Sequence, residues 1–124
     1  MKFTSFQPLI LTLKPEETIA TFEALGFERN HKISFTTNGK ELTTICMKNA
    51  DGFRVDVTGV TDLPQDRILI RMNVADFDEA YDMLVEKGFR NISGDNVVET
   101  RTNKSAMMVS PSGFAFDLCQ HIKD

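Results

Sequence analysis

Gly52-Phe53-Arg54-Val55-Asp56-Val57 returns near the end of the chain as Gly113-Phe114-Ala115-Phe116-Asp117-Leu118, with glycine, phenylalanine and aspartate in register and apolar residues beside them. Gly52 to Gly113 is a shift of 61 residues, and the earlier pair Gly26-Phe27 and Gly88-Phe89 is offset by 62. One residue of slippage between the two offsets marks a tandem repeat. A repeat of this length is one supersecondary unit that must bury its apolar face against its own copy.

Working outward from the repeated segment, each copy reads as a strand, a helix and three further strands. Leu9, Leu11 and Leu13 alternate with Pro8, Ile10 and Thr12, which predicts a strand with its leucine face on a helix. Pro15 then opens a helix: its fixed φ suits the first helical position, Glu16 and Glu17 favour the positive end of the helix dipole, and Gly26 supplies the left-handed stop. Ile19, Phe22 and Ala20 form the expected buried stripe. In the second copy Ile68, Ile70, Met72 and Val74 make the apolar face of a strand. Asp76 with Glu79 resembles a capping box, and Ala80, Met83 and Leu84 are expected to face inward before Gly88 stops the helix. Asn38-Gly39 predicts a hairpin turn between His31 to Thr37 and Lys40 to Lys48, and Asp51-Gly52 turns the chain into Phe53 to Thr58. The matching strands of the second copy are expected at Val97 to Arg101, Ser105 to Val109 and Phe114 to His121. The expectation is one domain over residues 1–124, of mixed α+β class, made of βαβββ modules at 1–59 and 68–124 joined by a linker at 60–67.

Composition narrows the function. The chain has 124 residues with 41% hydrophobic and 26% charged content, ordinary for a globular domain and too apolar for intrinsic disorder. A net charge of −4 with interspersed signs offers no basic stripe for nucleic acid. The uncharged run Phe3 to Leu13 is far short of the roughly 20 residues of a membrane span. Lys14-Pro15-Glu16-Glu17 stands where a signal peptide would need small residues for cleavage. Cys46 and Cys119, the two cysteines of the chain, occupy unmatched places in the repeat and read as buried, reduced thiols, which points to the cytoplasm.

Thr21-Phe22-Glu23-Ala24-Leu25-Gly26-Phe27 resembles the helix end running into Leu-Gly-Phe of the vicinal oxygen chelate superfamily, which contains glyoxalase I, extradiol dioxygenases and bleomycin-resistance proteins. Ser110-Pro111-Ser112-Gly113-Phe114-Ala115-Phe116-Asp117-Leu118 resembles that family's Asp-Pro-x-Gly-x-x-x-Glu-Leu segment. The resemblance covers nearly the whole chain and implies curved mixed sheets around a cleft, often in a homodimer. It also implies a divalent metal, held by a His or similar ligand on the first strand of each module and a Glu on the last. The last-strand positions here are Asp56 and Asp117. The first-strand positions, counted back from the helix, are Pro8 and Leu69, and neither coordinates a metal. Gln7 reaches the site only if the first strand slips by one residue, which turns its leucine face the wrong way. The expectation is therefore no cofactor; if a metal binds, Asp56 and Asp117 are its candidate ligands.

Strand alternation then sets the cleft face. With Ile68, Ile70, Met72 and Val74 toward the helix, Leu69, Arg71 and Asn73 face the cleft, joined by Arg54, Asp56 and Thr58 from the first copy and by Ala115, Asp117 and Cys119 from the second. The candidate ligand-binding residues are Arg54, Asp56, Leu69, Arg71, Asn73 and Asp117, with Arg71 able to bind a carboxylate, phosphate or enolate oxygen. A structural alternative has Arg71 pairing with Asp56 or Asp117. His31 and His121 read as solvated, and Cys119 as unreactive. Three classes of function remain: a protein that binds a small organic molecule without the usual metal, a metal-dependent lyase, isomerase or dioxygenase, and a dimeric scaffold. Nucleic acid and membrane are not expected partners.

Overall fold

The computed structural model describes residues 1–37 and 39–122. Among them the elements run β1 (Phe3–Thr12), α1 (Pro15–Ala24), β2 (Glu28–Thr37), β3 (Lys40–Lys48), β4 (Arg54–Gly59), β5 (Arg67–Val74), α2 (Phe77–Glu86), β6 (Arg90–Asn91), β7 (Val98–Glu99), β8 (Asn103–Val109) and β9 (Ala115–His121). This is the mixed α+β class expected from the sequence. No helix among the described residues is long and apolar enough to cross a membrane. Two compact units form, a first of Gln7–Ile68 and a second of Met1–Phe6 with Leu69–Asp124.

In the first unit the strands lie in the order β2, β3, β4, β1, with β1 and β4 parallel and the other pairs antiparallel. Ile19 of α1 is buried against Met47, Val55 and Val57, and Phe22 packs on that cluster with its ring edge-on to Phe27. Ala20, expected in the stripe, is exposed, because it sits about 100° round the helix from Ile19. Gly26, at φ 101°, ends the helix. The hairpin turn expected at Asn38-Gly39 falls on Asn38, which lies outside the described residues.

In the second unit the order is β5, β9, β8, β6, with β7 also on β8 and β5 parallel to β9. Phe77 and Ala80 of α2 are buried with Met72, Val74, Ala106, Met108 and Leu118, while Tyr81 and Leu84 pack at the margin. Phe77, Ala80, Tyr81 and Leu84 fall at i, i+3, i+4 and i+7, one continuous stripe. Met83, expected inward, lies off that stripe and is 44% exposed. Asp76 caps the helix, its Oδ1 accepting from the Glu79 N–H at 3.1 Å. The Glu79 carboxylate stands 3.9 Å from the Met1 amino group, so one arm of the expected capping box is made.

The repeated Gly-Phe has a physical reason. Asn49 Oδ1 accepts from the N–H groups of Asp51 and Phe53, and 61 residues later Ser110 Oγ accepts from those of Gly113 and Phe114. Each side chain holds a tight turn whose glycine, Gly52 at φ 89° or Gly113 at φ 108°, adopts a conformation that L side chains avoid. The copies differ at their outer strands. Expected strands at 97–101, 105–109 and 114–121 are found at 98–99, 103–109 and 115–121, and β6 is an additional short piece. Asn91 interrupts this edge: its Oδ1 accepts from the Ser93 N–H and its Nδ2 donates to the Asn96 carbonyl, folding 91–96 into a turn.

Candidate functional site

Each unit carries a polar row on the sheet face turned away from its helix, and both rows follow from strand register. In the second unit Arg71 stands opposite Asp117 and Asn73 opposite Cys119, while across β8 Met107 stands opposite Asp117 and Ser105 opposite Cys119. Residues directly opposite share a face, so Leu69, Arg71, Asn73, Ser105, Met107, Ala115, Asp117 and Cys119 line one surface. Arg71 Nε and Nη2 each lie 3.0 Å from Asp117 Oδ2, with the two side chains 14% and 16% exposed. Asn73 Nδ2 donates to Ser5 Oγ at 2.6 Å. Leu69 and Cys119 are buried, whereas Arg71, Asn73, Ser105, Met107, Ala115 and Asp117 are half-buried.

In the first unit Leu9 stands opposite Asp56 and Leu11 opposite Thr58, with Cys46 and Thr44 completing the rows on β3. Gln7, Leu9 and Leu11 therefore share the face of Asp56, and Ile10 joins the helix-side cluster. The predicted face of β1 is thus reversed. Its alternation misleads because β1 is apolar on both sides: Leu9 is buried at 3% exposure on the face opposite the helix. The consequence falls on the site. Gln7, not Pro8, occupies the first-strand position, and no register slip is needed to place it there. Its Nε2 donates to Asp56 Oδ2 at 3.0 Å, with Gln7 at 6% and Asp56 at 2% exposure. The carboxylate fixes the orientation of the amide, since only the NH2 end can donate to it. Gln7 Oε1, at the other end, has no hydrogen-bond partner among the described residues. Thr44 and Thr58 hydroxyls share a hydrogen bond of 2.6 Å on the same face.

The remaining sequence candidates separate. Arg54 is exposed at the start of β4, opposite Lys48. His31 and His121 are exposed, and neither Cys46 nor Cys119 forms a disulfide. Ser5, Ser105 and Met107 were not singled out from the sequence, and Gln7 was weighed there and set aside on the reversed face of β1. The one-residue difference between the two repeat offsets is the signal that finds Gln7, because an offset of 62 aligns it with Leu69.

A divalent metal of the kind implied by the family resemblance finds a poor donor set here. Asp117 Oδ2 is taken by two guanidinium N–H groups of Arg71. Leu69, at the first-strand position of the second copy, is a hydrocarbon. In the first unit the Asp56 carboxylate accepts from the Gln7 amide. No group of three or more His, Cys, Asp or Glu side chains among the described residues is arranged to hold a metal ion. A fixed cation against one carboxylate, and a donor present at only one of two first-strand positions, do not fit the group.

The chain resembles known proteins in fold and not in sequence. No family model and no curated protein matches it. Solved structures do. A glyoxalase/bleomycin resistance protein/dioxygenase superfamily member from Vibrio splendidus 12B01 is 19% identical with a TM-score of 0.62, over 94% of this chain and 97% of that one. The chain has the glyoxalase/bleomycin-resistance fold. Methylmalonyl-CoA epimerase from Mycobacterium tuberculosis has the same fold at a TM-score of 0.71 and 12% identity, over 95% of this chain and 88% of the epimerase. A glyoxalase I mutant from Zea mays matches at a TM-score of 0.68 and 13% identity, over 99% of this chain and 47% of that one. Identities this low speak to the fold alone, and within the glyoxalase/bleomycin-resistance fold function is set by the side chains of the site.

Proposed function

We propose that this chain binds a small organic molecule bearing an anionic oxygen, without the divalent metal of the family it resembles, on the second-unit face that carries Arg71, Asn73 and Asp117. The observation that carries the reading is the Arg71–Asp117 pair, two charges set at the centre of a sheet face and largely withdrawn from water. A pair in that position is weak evidence of stabilisation, because desolvation offsets most of the Coulomb attraction. A ligand oxygen beside it gives the guanidinium a use that packing does not. The contrast between units supports the same face: around Asp56 most of the corresponding surface is buried, with Leu11 and Cys46 half-buried, whereas around Asp117 most of it is half-open. Met107, Leu69 and Ala115 offer apolar contact beside the charges, the mixture of a few placed polar groups in an apolar surround that small-molecule sites use. An epimerase of this fold is known in complex with 2-nitronate-propionyl-CoA, and acyl thioesters therefore join short carboxylates and phosphates as probes.

Thermal denaturation across that panel tests the reading. At least one class of anion is expected to raise the melting temperature saturably in the wild type. Arg71→Ala abolishes the gain, and Arg71→Lys, which keeps the charge but loses the planar fork, retains a reduced one. A panel to which the wild type is indifferent, or a gain that persists in Arg71→Ala, overturns the proposal.

A further inference from the structure

We propose that the outer edge of β2 pairs with the same strand of a second copy of this chain, antiparallel about a two-fold axis at Ser34. The inference uses no residue of the Arg71–Asp117 face and stands or falls separately from the ligand reading. β2 runs ten residues, Glu28–Thr37, and is hydrogen-bonded to β3 on one side. Among the described residues no strand pairs with its other side. Residues 28–36 are exposed throughout, including Ile33 at 39% and Phe35 at 36%.

A long, regular, unpaired edge is a template for another strand, and folded proteins usually blunt such edges with short strands, charges, proline or bulges. The second unit does so. Its corresponding edge, β6, is two residues long and ends in the turn held by Asn91. On β2 the blunting devices lie in the first half, where Glu28, Arg29, His31 and Lys32 stand around the bulge between Arg29 and His31. From Ile33 to Thr37 there is no charge, no proline and no bulge.

Side-chain pairing selects the second copy and its register. With the axis at Ser34, each Ile33 lies opposite the Phe35 of the other copy, giving two β-branched–aromatic pairs on one face, a favoured cross-strand combination. Lys32 then faces Thr36, and His31 the position of Thr37, so no like charges meet. An axis at Lys32 would set two ammonium groups directly opposite each other. An axis at Ile33 would form one apolar pair instead of two. A single strand edge buries less than the roughly 1,200 Å² of a stable interface, so the dimer forms with rising concentration.

Cysteine trapping reads both the partner and the register. In the proposed pair the two Ser34 Cα atoms are about 5 Å apart, within disulfide range, whereas two residues at position 36 are about 13 Å apart along the strands. Ser34→Cys is expected to convert to a covalent dimer under oxidised glutathione, while Thr36→Cys and the wild type with its own thiols stay monomeric on non-reducing gels. Light scattering should show the wild-type dimer growing with concentration and Phe35→Lys remaining a monomer of unchanged circular dichroism. Ile33→Lys, on the other side of the same pair, should do the same. Equal cross-linking of Ser34→Cys and Thr36→Cys, or a wild type whose mass ignores concentration, overturns the proposal.

Discussion

At the entrance to α1 Pro15 stands against Gly59, and at the entrance to α2 Phe77 stands against Gln120, offset by 62 and 61 residues. The two pairs solve one problem in opposite ways. A helix leaves its first N–H groups without internal partners. Phe77 has such an N–H, and Gln120 reaches back from β9 to accept it through Oε1 at 2.7 Å. Pro15 has none, so β4 needs no acceptor there, and its ring fills the space instead: a Cβ on Gly59 would lie 2.9 Å from Pro15 Cγ. The copies have therefore diverged in coupled pairs, each internally consistent and each incompatible with half of the other.

The largest effect should come from breaking the tighter pair. Gly59→Ala drives a methyl into the Pro15 ring and is expected to cost about 1–3 kcal/mol in chemical denaturation, the range for overpacking. Because the clash needs both residues, the cost should shrink in a Pro15→Ala background, and additive costs would show that the contact is not its source. Next, Gln120→Leu leaves the Phe77 N–H buried without an acceptor and should cost about 1–2 kcal/mol. Gly59→Ala tests volume and Gln120→Leu tests polarity, so the two halves respond for different reasons. Asp76→Ala removes the cap on Glu79 and should cost about 1 kcal/mol, whereas Lys14→Ala, at the matching position of α1 where no side chain caps, should be nearly neutral.

The smallest effect concerns pH. Asp66 ties the segment after β4 to the entrance of α1, accepting from the Leu13 N–H at 3.0 Å and the Thr12 hydroxyl at 2.8 Å. The Leu13 N–H first, and the Thr12 hydroxyl second, hold its carboxyl below the ordinary carboxylate value. A depressed folded-state pKa means that the folded chain binds fewer protons than the unfolded one. The stabilisation is present above the ordinary value and is lost as pH falls through the folded value. Asp66→Asn should melt slightly below the wild type at neutral pH, with the gap closing in acid. A gap of constant size from neutral pH to below pH about 3 would contradict this origin.

Much of the fold was legible because its signals are local. The glycine stops, Pro15, the Asp76 cap and the alternation along β5 from Ile70 and along β9 from Phe116 each depend on a few neighbouring residues, and each is found, whereas Ile68 and Phe114, expected on the same inward faces, are 72% and 53% exposed. Arg71 and Asp117 share a face for the same reason, and their pairing was among the sequence expectations. What failed had competing local answers. β1 is apolar on both sides, so alternation cannot tell which side meets the helix, and the place of Gln7 beside Asp56 was lost with it. Met83 and Phe77 are both good stripe residues, and only the packed partners on β8 and β9 choose between them. The turn that shortens the second unit's edge rests on one asparagine, Asn91, whose side chain could not be assigned from spacing.

The acidic positions of the repeat follow the logic of the helix entrances. Asp56 accepts from an amide and Asp117 from a guanidinium, so the two carboxylates that match in sequence are engaged by different side chains. The central claim is that this engagement replaces a metal and turns the Asp117 face toward organic anions. Elemental analysis of protein purified without chelators tests it most directly, with melting curves recorded before and after addition of Ni, Zn, Co, Mn or Fe ions. The account predicts no stoichiometric divalent metal and no saturable gain in melting temperature; one equivalent of tightly held metal per chain, lost together with stability in Asp117→Asn, would contradict it.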